Sequence, residues 1–262
     1  MTDFFRFPHT PHLAWLGAGS PRDDKVMSPA EARSLLAGEV VVEEKLDGAN
    51  LGISAGSDGV LRFQNRGQYL QAPFSGQFAR LASWLPAREA ALADALGESL
   101  ILFGEWCAAR HSLDYTELPD WFLAFDVYDR KEGCFWSTTR RNILAGQLDI
   151  CTVPPIFIGK ATLEDLKAMV LKQPSRFSSG SLEGIIIRRE DADFLETRAK
   201  LVHPDFTQAI TEHWSRRGME WNRLGQALNE RRKEWASELL QAEPGLADVA
   251  DHRDEIGPSA NS

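Results

Sequence analysis

An apolar run, Val40–Val42, leads directly into the charged stretch Glu43–Asn50, which contains a K-x-D-G sequence. Three consecutive β-branched residues favour a strand, and the glycine three residues after Lys45 favours a turn where that strand ends. A lysine amine is inert while it is protonated, so it becomes a nucleophile only in a desolvated site or beside a second cation. The stretch predicts Lys45 at the mouth of a pocket; the alternative is a solvated hairpin end.

Strands and helices are predicted along the chain without regular alternation. Strands are expected at 39–45, 50–55, 60–65, 100–107, 121–128 and 184–187, with one more ending near 201. Helices are expected after the capping sequence at Ser28, across 76–96 with a break near Pro86, and at 138–148 and 162–171. This order predicts an α+β fold in which antiparallel sheets are flanked by helices, rather than a doubly wound sheet.

The composition excludes several classes of protein. The 262 residues are 43% hydrophobic and 26% charged, and the net charge of −9 argues against a protein that coats nucleic acid through bulk positive charge. No run approaches the roughly 18 apolar residues of a membrane span, and the N-terminus lacks the order of a secretory signal. Three widely spaced cysteines indicate reduced thiols. We therefore expect a cytoplasmic protein that does not bind membranes.

Charged and aromatic residues recur near the ends of the later predicted strands. The set consists of Arg66, Glu105, Phe125, Glu183, Arg198 and Lys200. The last two are two residues apart, which places both on one face of a strand. Alternation along the strand likewise places Phe125 on the face opposite Ala124 and Asp126. Taken singly, each residue has an ordinary explanation: a surface cation, an aromatic ring in the core or an acid at a strand end.

From Glu43 to Phe206, these stretches follow the order of motifs in the covalent nucleotidyltransferase superfamily of polynucleotide ligases and capping enzymes. Within it, the chain most resembles the RNA ligase family. The resemblance implies an ATP-grasp-like nucleotidyltransferase fold, with Lys45 attacking the α-phosphate of ATP to form lysyl-AMP. Asn50 matches an asparagine typical of the nick-sealing RNA ligase branch. Asp47, which the resemblance implies to be a catalytic residue, follows the wider superfamily.

The resemblance also implies which residues hold the nucleoside. Glu44 would accept a hydrogen bond from the adenine amino group, and Phe125 would stack on the purine. Glu105 would accept hydrogen bonds from the ribose hydroxyls. Arg66 would contact the ribose and the acceptor end.

Further residues are implied to act on the phosphates. Glu183 would position the metal, Mg²⁺ or Mn²⁺, which binds through one or two carboxylates together with water and phosphate oxygens. Arg198 and Lys200 would face the α-phosphate, at a position pair where the family usually has two lysines. We therefore expect Lys200 to depress the pKa of Lys45, and Arg198→Lys to keep substantial activity.

The expected function is ATP-dependent joining of RNA ends, with a nicked duplex or hybrid among the candidate substrates. NAD⁺ is not expected as the donor, because no N-terminal segment resembles the part of NAD⁺-dependent ligases that grips nicotinamide. A small DNA ligase and a GTP-using capping-type enzyme are alternatives. A non-catalytic nucleotide-binding module is a third, against which the intact set of Lys45, Glu105, Glu183 and Lys200 argues.

Three regions are expected: a nucleotidyltransferase domain at 1–206, a helical appendage at 207–242 and an acidic tail at 243–262. Trp221, Leu224 and Leu228 fall on one face of the predicted helix, which would dock on the larger domain or on a partner. Arginines among the tryptophans would suit phosphate contacts and base stacking, but interspersed glutamates favour a solvated helix. Removal of the chain from Trp221 onward is therefore expected to spare lysine adenylation better than end joining.

Overall fold

The computed structural model describes residues 4–19, 21, 25–208 and 218–225. Nine strands and six helices lie in this part of the chain. The strands are β1 Val40–Glu44, β2 Ala49–Ala55, β3 Leu61–Gln64, β4 Leu100–Trp106, β5 Phe122–Asp129, β6 Cys134–Phe135, β7 Pro155–Gly159, β8 Gly184–Glu190 and β9 Leu195–Val202. The helices are α1 Pro29–Leu35, α2 Leu81–Trp84, α3 Glu89–Leu96, α4 Thr138–Gln147, α5 Leu163–Lys172 and α6 Pro204–Gln208.

The strands form two antiparallel sheets, which confirms the α+β prediction. The first sheet has the order β7-β1-β8-β9, and the second has the order β3-β2-β4-β5-β6. One apolar core contains Val42, Ile185 and Leu201 of the first sheet together with Leu35 of α1 and Leu166 of α5. A second core joins the other sheet to α3 and α4. Each sheet therefore buries one face under its own helices.

Local sequence explains where the helices begin. Ser28 and Glu31 form the predicted capping box of α1, and Thr162 and Asp165 form another at the start of α5. The stretch predicted helical at 76–96 is broken as expected, into a 3₁₀ turn at Gly76–Phe78 followed by α2 and α3. The short strands β6 and β7 were not predicted, because two and five residues carry too little periodicity.

A β-bulge in β5 changes the predicted side-chain alternation. Phe103 pairs with Asp126 and Gly104 with Ala124, so Phe125 is the extra residue. Ala124 is buried in the core beside α4, as expected. The expectation that Asp126 shares that face is wrong, because the bulge lets Asp126 line the same cavity as Phe125.

Buried ion pairs connect the two sheets. Asp126 of the second sheet accepts hydrogen bonds from Arg188 at 2.8 Å and from Arg198, which lie on β8 and β9 of the first sheet. Arg141 of α4 donates to Glu43 on β1 at 2.7 Å and to the carbonyl oxygen of Phe125 at 2.8 Å. The side chain of Arg141 is fully buried. Charges this deep are tolerated only where each is paired, so these residues fix how the sheets face each other.

The region expected to be a C-terminal helix differs where it is described. Residues 218–225 are extended: Trp221 forms a β-bridge with Ala109, and Leu224 forms one with Leu118. The helical prediction is wrong there, because backbone pairing with the rest of the fold outweighs local helical preference. The remainder of the predicted appendage beyond α6, and the acidic tail, lie outside the described residues. No helix in the described part is long and apolar enough to cross a bilayer.

Candidate active site

A cavity of about 490 Å³ opens between the two sheets at the end of β1. Eight of the ten residues singled out from the sequence line it: Glu44, Lys45, Asn50, Arg66, Glu105, Phe125, Arg198 and Lys200. The other two, Asp47 and Glu183, do not line it, but Glu183 bonds directly to Lys45 and Asp47 lies two residues after Lys45. Residues from six strands or strand ends, far apart in the chain, therefore converge on one space large enough for a nucleotide.

Lys45 is held by a single carboxylate. Its Nζ lies 2.7 Å from Oε1 and 2.6 Å from Oε2 of Glu183. The lysine side chain is 25% exposed and that of Glu183 is 15% exposed, so the pair is only partly shielded from water. The amine reaches the cavity from β1, and the carboxylate reaches it from the residue before β8.

The backbone of the K-x-D-G turn is fixed at three points. The N–H of Lys45 donates to the carbonyl oxygen of Gly184 at 2.8 Å. The N–H of Asp47 donates to the hydroxyl of Tyr115 at 2.9 Å, and that of Gly48 donates to Oε1 of Glu105 at 3.1 Å. This turn therefore has few ways to move without breaking hydrogen bonds.

Gly48 is required by close packing rather than by an unusual φ angle. A Cβ atom at this position would lie 2.7 Å from the carbonyl oxygen of Trp106 and 3.0 Å from Cγ of Glu105. Both contacts are closer than van der Waals packing permits. A larger residue would push the turn away from β4 and would displace Lys45 with it.

The carboxylates around Lys45 keep its amine protonated. Burial lowers the pKa of Lys45, but the charges of Glu183, Glu105 and Asp47 outweigh it and leave the pKa above its ordinary value. The net shift is therefore opposite to the expected depression, and a lowering effect of Lys200 on this pKa stays a prediction. Burial raises the pKa of Glu183 to about 6, although Lys45 and Lys200 both lower it. Burial also raises the pKa of Glu105, to about 8.

Asp47 supports the loop behind the turn. Its Oδ2 accepts from the backbone N–H groups of Ser112 at 2.6 Å and Leu113 at 2.9 Å. Nδ1 of His111 lies 3.9 Å from Oδ1 of Asp47, and Nε2 of His111 is 2.9 Å from Oε1 of Gln77. Asp47 thus orders a loop that brings His111 to the cavity.

Glu44 also binds a loop of its own chain. Oε1 accepts from the hydroxyl of Ser175 at 2.6 Å, and Oε2 accepts from the N–H of Arg176 at 2.9 Å. The residue is 2% exposed, and this burial raises its pKa despite both hydrogen bonds. In this arrangement the carboxylate anchors the loop before β8, and adenine recognition by Glu44 stays a prediction.

The two cations on β9 have different surroundings. Arg198 is paired with Asp126, and its guanidinium lies 4.5 Å from the ring centre of Phe7 and 4.4 Å from that of Phe135. Burial lowers the pKa of Arg198 despite the charge of Asp126. Lys200 lies two residues further along β9 and lines the cavity. The predicted shared face therefore holds, but the Arg198 head group is committed to protein partners.

Asn50 and Arg66 offer polar groups to a ligand. Oδ1 of Asn50 is buried, and no hydrogen-bond partner for it lies among the described residues. An unpaired buried oxygen is costly, so a bound donor would stabilise it. Arg66 is exposed, in a turn that Asn65 closes by accepting from the N–H groups of Gly67 and Gln68.

Several cavity residues were missed from the sequence. Phe7, His9 and Thr10 enter from the N-terminal segment, and Phe7 packs edge-on against Phe125 with ring centres 5.4 Å apart. An alternating Phe-x-Phe pattern at Phe5–Phe7 was the available signal. Arg141 does not line the cavity but supports Glu43 and Phe125, which do; it had no usable signal, since a buried arginine on a helix looks like any surface charge in the sequence.

Carboxylate oxygens near Lys45 fit a divalent cation. The described residues contain no group of three or more His, Cys, Asp or Glu side chains that could hold a metal alone. Glu183 and Glu105 nevertheless place carboxyl oxygens beside Lys45, and burial raises the pKa of both, so a bound cation would favour their charged forms. Mg²⁺ and Mn²⁺ commonly bind one or two carboxylates, several waters and substrate phosphates, and this site fits that pattern.

Solved structures of similar fold are RNA ligases. A substituted form of Naegleria gruberi RNA ligase with ATP and Mn matches with a TM-score of 0.57 and 18% identity, covering 79% of this chain and 58% of that one. The same ligase with PPi matches with a TM-score of 0.52 and 20% identity, covering 70% and 54%. This chain thus spans little more than half the length of those ligases. At this identity, the likeness shows that the chain shares the fold of these structures.

The family follows from a direct sequence match. The family model for RNA ligase matches residues 38–202, which is well over half of the chain. No curated protein matches the chain. The chain belongs to the RNA ligase family, as its order of motifs predicted.

Proposed function

We propose that this protein is an ATP-dependent RNA ligase that works through a lysyl-AMP intermediate on Lys45. The observation that carries the proposal is the placement of the Lys45 amine, at the end of β1 and in a cavity where Glu105, Asn50 and Lys200 converge. The Naegleria ligase that shares the fold is described with ATP and Mn, which supports ATP as the nucleotide here. RNA ends as the substrate follow from the family.

The first step joins the lysine to AMP. The lone pair of Lys45 Nζ attacks the α-phosphorus, the bond to the bridging oxygen breaks, and pyrophosphate leaves. The amine must first lose a proton, which its bond to Glu183 opposes. A divalent cation bound at Glu183 would neutralise phosphate charge and share the carboxylate that now holds Lys45 protonated. Lys200 would contribute a second positive charge beside the phosphate.

The next two steps transfer AMP and seal the strand. A 5′-phosphate oxygen attacks the phosphorus of lysyl-AMP, which frees Lys45 and leaves an adenylated RNA end. A 3′-hydroxyl then attacks that 5′-phosphate, and AMP leaves. Exposed Arg66, which lines the cavity, would bind a strand end, and the buried oxygen of Asn50 would accept from a ribose or other hydroxyl donor. Catalysis would be mainly positioning and charge neutralisation.

Covalent labelling tests the proposal. The protein incubated with α-labelled ATP and Mn²⁺ or Mg²⁺ should acquire an acid-labile, base-stable label on Lys45. Lys45→Ala should lose the label completely, while the exposed Lys160→Ala should label as the wild type does. A label that persists in Lys45→Ala would refute the assignment.

Two comparisons separate the remaining alternatives. Labelling by GTP but not by ATP would favour a capping-type enzyme. Joining assays on matched RNA, DNA and hybrid nicks would separate RNA ligase from DNA ligase. If the protein is labelled normally but joins none of these substrates, its activity would be limited to nucleotidyl transfer to Lys45.

A further inference from the structure

The extended segment at 218–225 is built into the loop at 107–118. The N–H of Arg110 donates to the carbonyl oxygen of Glu220 at 2.9 Å, and that of Asn222 donates to Ala108 at 3.0 Å. The N–H of Gly225 donates to Leu118 at 2.9 Å. The segment lies beyond the region 38–202 that the RNA ligase family model matches.

Asn222 joins the two ends of that loop. Its Nδ2 donates to the carbonyl oxygens of Cys107 at 2.8 Å and Ala109 at 3.2 Å, and its Oδ1 accepts from the N–H of Tyr115 at 3.0 Å. The residue is 2% exposed. Every strong hydrogen-bonding group of its side chain is thus used within the loop. Loss of this amide would leave three buried backbone groups without a partner, which is costly.

Tyr115 connects Asn222 to the K-x-D-G turn that contains Lys45. Its fully buried side chain presents the hydroxyl that accepts from the N–H of Asp47. Asp47 in turn accepts from Ser112 and Leu113 of the same loop. Asp47 is two residues after Lys45. A continuous path of hydrogen bonds therefore runs from Asn222 through Tyr115 to the turn that carries the amine.

We propose that Asn222 is a positioning residue for adenylation of Lys45, acting through Tyr115 and the backbone of Asp47. The inference rests on the proposed function for its chemistry. It reverses the sequence-based expectation that removal of the chain from Trp221 onward would spare lysine adenylation. Attack on the α-phosphorus needs the amine in line with the leaving group, and a displacement of about 1 Å can cost about a hundredfold in rate.

Hydrogen exchange of the Asp47 amide tests the positioning without any activity. In the full-length protein, Asn222→Ala and Tyr115→Phe should each speed exchange of this amide about three- to tenfold. This factor corresponds to the net free energy of one hydrogen bond. Arg223→Ala is the matched control, because within the described residues its exposed side chain pairs with Asp114 alone and its backbone bonds remain. If Asn222→Ala unfolds, Tyr115→Phe, which removes a single oxygen, decides the question. Unchanged exchange in the folded variants would overturn the proposal.

A second measurement separates positioning from simple damage to the fold. The rate of lysine adenylation should fall about tenfold or more in both variants, whereas joining of pre-adenylated RNA ends without ATP should stay within about threefold. Joining of such ends does not use the Lys45 amine as a nucleophile. Equal loss of both reactions would make Asn222 merely structural and would overturn the proposal. Absence of lysine labelling in the wild type would refute the proposed function instead, and exchange at Asp47 would still decide whether Asn222 orders the turn.

Discussion

Both carboxylate oxygens of Glu183 lie within 2.7 Å of the Lys45 amine, so the proposed nucleophile is held as an ammonium ion. In this ion pair the Lys45 amine is protonated and therefore unreactive as a nucleophile. In the proposed reaction, its reactivity would depend on how a bound nucleotide and cation change the charge on Glu183. A resting ion pair of this kind also limits attack by Lys45 on other electrophiles.

Removal of the Glu183 charge should lower the pKa of Lys45. Glu183→Gln takes away the nearest negative charge, while Glu105 and Asp47 still act on the amine. An amine-reactive probe followed by mass spectrometry should therefore modify Lys45 at lower pH in Glu183→Gln than in the wild type. Exposed Lys131 is the internal control and should react alike in both proteins. An unshifted profile for Lys45 would show that the ion pair does not control its protonation.

Arg198→Lys should be damaging, contrary to the expectation from the family pattern. The guanidinium lies against two aromatic rings and pairs with buried Asp126, and an ammonium group cannot stack in the same way. We expect a loss of about 1–3 kcal/mol in the free energy of unfolding, measured with urea. The matched control is Arg189→Lys on the same sheet, whose partner Glu196 is exposed. Equal stability of the two variants would contradict a structural role for Arg198.

The buried pair of Arg141 and Glu43 should contribute strongly to stability. Arg141→Met leaves Glu43 buried without its partner at 2.7 Å, and it removes a hydrogen bond to the carbonyl oxygen of Phe125. Breaking such a pair costs about 3–5 kcal/mol. Lys167→Met breaks the exposed pair with Glu164 and should cost less than about 0.5 kcal/mol. Urea unfolding of both variants measures the difference, and similar small losses would disprove the inter-sheet role.

The sequence predicted the residues of the site better than it predicted the residues that hold them in place. Lys45, Glu105 and Lys200 lie where strand ends were predicted, because residue order and short-range patterns determine strands and turns. The β-bulge at Phe125 was not predictable, since it depends on how β4 pairs with β5. The same holds for Asn222, whose partners are more than a hundred residues away in the chain.

Buried charged residues were the other feature that the sequence did not predict. Arg141 and Arg188 are almost fully buried, yet each stands next to a second arginine, Arg140 or Arg189, in a pattern that is typical of a surface. Burial of these two arginines is tolerated because Glu43 and Asp126, on other strands, pair with them. Similarly, Asp47 was assigned to the catalytic set on its motif, whereas its visible contacts hold the loop at 107–118. Long-range partners decide these roles, and a single sequence does not show them.

Glu105 should reduce stability at neutral and alkaline pH. Its folded-state pKa is raised to about 8, chiefly by burial, from a model-peptide value of 4.5. A raised carboxyl pKa means that the folded state binds the proton more tightly. Stability from this group is therefore fully present below about pH 4.5 and is lost as the pH rises towards 8.

Glu105→Gln should be more stable than the wild type at pH 8 and should lose nucleotide transfer. The amide oxygen can still accept from the N–H of Gly48, so the turn keeps its support. The gain should be about 1–2 kcal/mol in the free energy of unfolding, reduced from the full linkage value because the side chain is partly exposed. Urea unfolding of both proteins from pH 5 to 9 measures it, and the difference should widen up to about pH 8 and then level off. A difference independent of pH would show that Glu105 does not titrate in this range.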